Sequence, residues 1–118
     1  DWSRIMAAQT YTPVTTSPLA GTATKIAPAR SVVGPVVVAN LTGAVAWLQL
    51  FDAALATDVT PGTTKPKATI AVGPNTAVGA STQADLQGLM FELGVVAAST
   101  TAAEGGTGAN TNTMIGIG

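Results

Sequence analysis

The stretch AVAWLQLFD, residues 44–52, decides the reading of this chain. In a β-strand successive side chains point to opposite faces, so it splits by period two. Ala46, Leu48 and Leu50 fall on one face, and Val45, Trp47, Gln49 and Phe51 on the other. The first set is a natural core face. The second is also largely apolar and needs cover, either from loops of the same chain or from a neighbouring subunit.

Outward from this segment the punctuation is that of an all-β protein. Short β-branched runs alternate with Gly, Pro, Asn and Asp clusters. Strands are expected near residues 22–27, 31–40, 44–51, 67–72, 77–85, 89–100 and 112–117. Turn signals lie at Thr42-Gly43, Pro61-Gly62, Gly73-Pro74-Asn75 and Gly105-Gly106. Pro35 interrupts the second run, which marks that strand as bulged or at an edge. Ala53 to Ala56 are good helix formers and predict a single helical turn. The fold class is therefore an antiparallel β-sandwich, jelly-roll or immunoglobulin-like, of about seven to eight strands. Leu48, Leu50, Phe91 and Leu93 are its expected core.

Residues 1–20 read as an extended N-terminal arm, leaving 21–118 as the sandwich domain. Residues 10–20 mix Thr and Ser with Pro13 and Pro18, which favours an extended path with few hydrogen bonds. The arm nevertheless carries Trp2, Ile5, Met6 and Tyr11, apolar groups better placed on a neighbour than in water. With Trp47 and Phe51 they form the expected interface set, and the domain is expected to fold without the arm.

Composition narrows the chemistry. The chain of 118 residues is one domain in size, and charged residues make up 9% of it, against about 25% in a typical soluble domain. Five basic residues and a net charge of −1 argue against nucleic acid as a partner. No apolar run reaches the length of about 20 residues that crosses a membrane as a helix. With no His and no Cys, Ser–His or Cys–His nucleophilic catalysis cannot be assembled, and thiolate or imidazole metal sites are excluded. The carboxylates Asp52, Asp58, Asp85, Glu92 and Glu104 show no metal-loop spacing. Gly105-Gly106-Thr107-Gly108 lacks the Lys-Ser/Thr of a phosphate loop and reads as a hairpin tip, and the triplet Asn40-Leu41-Thr42 is taken as a chance glycosylation sequon. The reading calls for no enzyme activity, no cofactor and no metal.

Two longer stretches carry a resemblance. VVVANLTGAVAWLQLFDAALATDVTPGTTKPKATIAV (residues 36–72) resembles small virion proteins of tailed bacteriophages. In these, a strand ending in Asn leads through a turn to an aromatic–aliphatic–Gln–aliphatic–Phe–Asp/Asn strand, followed by a Gly-Thr-x-x-Pro loop. GLMFELGVVAASTTAA (residues 88–103) is similar to the same family's Gly-x-x-Phe-x-x-Gly strand with its Ser/Thr tail. The resemblance covers residues 22–118 and implies a β-sandwich of the virion, first a head decoration (cement) protein bound to itself and to the major capsid protein or another virion protein. It brings no site residues with it. The alternatives are a carbohydrate- or receptor-binding module of a tail or neck, and a non-viral surface-layer or filament subunit.

Overall fold

The computed structural model describes residues 11–74 and 80–118. Eight strands run in chain order: β1 Thr12–Leu19, β2 Thr24–Ala27, β3 Ser31–Asn40, β4 Ala46–Asp52, β5 Ala68–Val72, β6 Ala80–Phe91, β7 Val95–Thr100 and β8 Thr111–Ile117. A single 3-10 turn, Ala56–Asp58, lies between β4 and β5, slightly beyond the expected helical turn. Thr57 and Val59, both β-branched, and then Pro61 keep it from growing.

Two four-stranded sheets form, sheet A in the order β1-β8-β3-β6 and sheet B in the order β2-β7-β4-β5, with every pairing antiparallel. The connectivity follows from one long ribbon. β4 pairs with β5, β3 with β6, β2 with β7 and β1 with β8, and wrapping that ribbon brings β8 against β3 and β7 against β4. Of the two sandwich types expected, this is the jelly roll.

The inner faces interlock as the period-two reading of β4 requires. Leu48 and Leu50 are fully buried and pack with Val36 and Val38 of β3, Ile115 of β8 and Phe91 of β6. Pro35 is accommodated in the middle of sheet A because both its ladders slip there. Pairing with β6 jumps from Val33–Leu89 to Pro35–Asp85, and pairing with β8 from Val33–Ile117 to Val36–Ile115. The two extra residues on β6 include Gly88 at φ +84°, a conformation that disfavours any side chain. The strand is bulged, and it is not at an edge.

Three expectations need correction. First, residues 12–19 are an edge strand of sheet A rather than an arm, and Leu19, 1% exposed, belongs to the core. The prolines that suggested an arm are tolerated because an edge strand has one unpaired side, and the ladder with β8 is irregular between Thr16 and Leu19. Second, the expected strand 89–100 is two strands. β6 continues unbroken through residues 85–89 to Phe91, the chain turns at Glu92-Leu93-Gly94, and β7 begins at Val95. Third, Leu93 sits in that turn with 59% of its surface exposed and is no part of the core. The expected strand start at 77–79 and the turn residue Asn75 lie outside the described residues.

Leu50→Ala should therefore cost about 2–5 kcal/mol in denaturant unfolding, while Leu93→Ala should stay within about 0.5 kcal/mol. Equal effects at the two positions would contradict these burials. Deleting residues 1–20 removes β1 and Leu19 and should lower the melting temperature, contrary to what an arm would do; an unchanged melting curve would restore the arm.

Candidate functional site

The two sheets differ in what covers their outer faces. On sheet B, residues 53–67 and 101–110 fold back over the strands. Phe51, 1% exposed, packs with Ala53 and Val59 of the first loop and with Val96 and Ala98 of β7, making a second, smaller core. The two loops meet where the backbone of Gly106 lies against Pro61 and Gly62.

Gln49 of β4 pins the second of these loops, and Asn40 of β3 pins the β3–β4 turn and the end of β5. The Gln49 amide is fully buried; its Nε2 donates to Thr100 Oγ1 (2.6 Å), to the Gly105 carbonyl (2.9 Å) and, more weakly, to the Ala102 carbonyl (3.3 Å). Its Oε1 is buried without a partner. Asn40 is equally buried. Its Nδ2 donates to the carbonyls of Ala44, Val72 and Gly73, and its Oδ1 accepts from the backbone N–H and hydroxyl of Thr42. Every polar atom of that side chain is engaged inside the protein, so the sequon at Asn40 offers no accessible amide.

Asp52 anchors the hairpin between β6 and β7. Its carboxylate accepts from the N–H groups of Glu92 (3.1 Å) and Leu93 (2.8 Å) and lies 3.9 Å from Lys67 Nζ. Lys67 also donates to the Met90 carbonyl and stands 5.2 Å from the centre of the Phe91 ring. Partial burial raises the Asp52 carboxyl, but the backbone N–H groups and Lys67 outweigh it and hold the group below its ordinary value of 3.8. The nearby Arg30–Glu92 pair, 3.3 Å apart, is exposed on both sides and contributes little.

Sheet A is covered differently. At one end the Tyr11 ring lies on the backbone: a Cβ on Gly34 would come within 2.6 Å of it, which only glycine avoids. The Tyr11 hydroxyl is buried without a partner. Across the outer side of strands β1, β3 and β8 runs a shallow apolar depression, with Thr15, Val37, Ala39 and Met114 among its residues. Val37 pairs with Met114, and Met114 with Thr15, which puts the three in one row across the sheet. The four strands of sheet A hold one charged residue, Asp85 on β6. On the loop-covered side, by contrast, Asp58, Lys65 and Glu104 are all exposed.

The expected interface residues do not come together. Tyr11 belongs to the end of sheet A, packed on its own chain. Trp47 is half-buried on the outer side of sheet B, opposite Ala71 and Thr100, and Phe51 is enclosed by its own loops and has nothing to offer a subunit. Trp2, Ile5 and Met6 lie outside the described residues. The residues that do share a face, Thr15, Val37, Ala39 and Met114, were missed. The signal was the unbroken Val36-Val37-Val38, which makes both faces of β3 apolar just as in β4.

Among the described residues no cluster of three or more carboxylates stands together, and no helix is long and apolar enough to cross a membrane. No family model, curated protein or solved structure matches the chain.

Because the folded Asp52 carboxyl titrates below its unfolded value, its contribution is complete well above pH 4 and is lost as pH falls through the folded pKa. Asp52→Asn should cost about 1–2 kcal/mol at neutral pH, and the gap between variant and parent should close in acid. A gap that is constant with pH in denaturant titrations would remove the carboxylate from this role.

Proposed function

We propose that this chain is a non-enzymatic structural protein of a virion, in the first place a head decoration (cement) subunit that stabilises a bacteriophage capsid by covering and bridging its neighbours. The observation that carries the reading is the two-sided surface: three adjacent strands without a charge, β1, β3 and β8, with an apolar depression across them on one side, and charge-bearing loops on the other. Taking the part of the sheet formed by β1, β3 and β8 out of water strips no ion of its hydration. Repetition then multiplies a modest contact, because many copies on one particle convert weak contacts into firm occupancy.

Supporting this are the resemblance of residues 36–72 and 88–103 to small phage virion proteins and, as fold-level analogy only, the use of jelly rolls in capsids. Its partners would be other copies of itself and the major capsid protein or another virion protein, and its place the virion. A nucleic-acid or membrane partner fits poorly with so few basic residues. A sugar-binding module of the tail would want aromatics grouped on one open face. The half-buried aromatics among the described residues, Tyr11 and Trp47, belong to different sheets.

Cryo-electron microscopy of particles carrying the protein tests this. The expected result is density in icosahedral order on the outside of the head, with heads lacking the protein releasing their contents at lower temperature. Density confined to the tail, a helical array of the protein, or heads equally stable without it would contradict the proposal.

A further inference from the structure

We draw no further inference here: the strongest candidate, the shallow apolar depression on the outer side of β1, β3 and β8 with Val37 and Met114 in it, carries nothing because nothing in the structure shows what covers it.

Discussion

The buried amide of Gln49 is the contact on which the two-sidedness of this protein depends. It sits in the middle of β4, where Leu48 to Phe51 are buried on both faces of the strand. Leu48 and Leu50 face the main core, and on the reverse Gln49 Nε2 holds the carbonyls of residues 102 and 105 against sheet B. A buried amide that lost these acceptors would leave its N–H groups unpaired, at about 1–3 kcal/mol. Residues 101–110 are thus tied to the strand and, through Gly106, set against Pro61 and Gly62 of the loop whose Val59 covers Phe51. Among the described residues no such loop crosses the outer side of β1, β3 and β8, and the row Thr15–Met114–Val37 stays partly open there.

The jelly-roll ribbon places this asymmetry. Wrapping the β3–β6 and β1–β8 pairs into one sheet gathers three strands without a charge, β1, β3 and β8, side by side. The charges that the chain does carry are mostly in connections, where they anchor or solvate. Asp52 and Lys67 fasten the β6–β7 hairpin, while Asp58, Lys65 and Glu104 keep the loop side wet. Low overall charge and a lopsided distribution thus have one cause, a division of labour between strands and loops.

Much of this was legible in the sequence, and what was not has a physical reason. The faces of β4 and the bounds of β3 followed from strict alternation and from the turn signals beside them. β1 was hidden because Pro13 and Pro18, read locally, argue against a strand, whereas an edge strand with β8 on one side absorbs them. Leu93 was misplaced because an apolar run continues on either side of it, and a three-residue turn fixed by Asp52 forty residues earlier has no local signature. The same holds for Gln49 and Asn40. Their polar character was visible, but their distant partners lie 32 to 56 residues away in the chain, so the role of each waits for the fold. The outer face of sheet A needed topology too. Val37 and Met114 meet only because β8 returns to lie beside β3.

The central claim is that sheet A, and not sheet B, is the face that this protein uses. Hydroxyl-radical footprinting, read by mass spectrometry at Met114 and Trp47 in dispersed and assembled protein, tests it most directly, since both side chains are half-buried and both are readily oxidised. Assembly should slow oxidation of Met114 severalfold and leave Trp47 unchanged. Protection of Trp47 with Met114 still fully reactive would contradict the account.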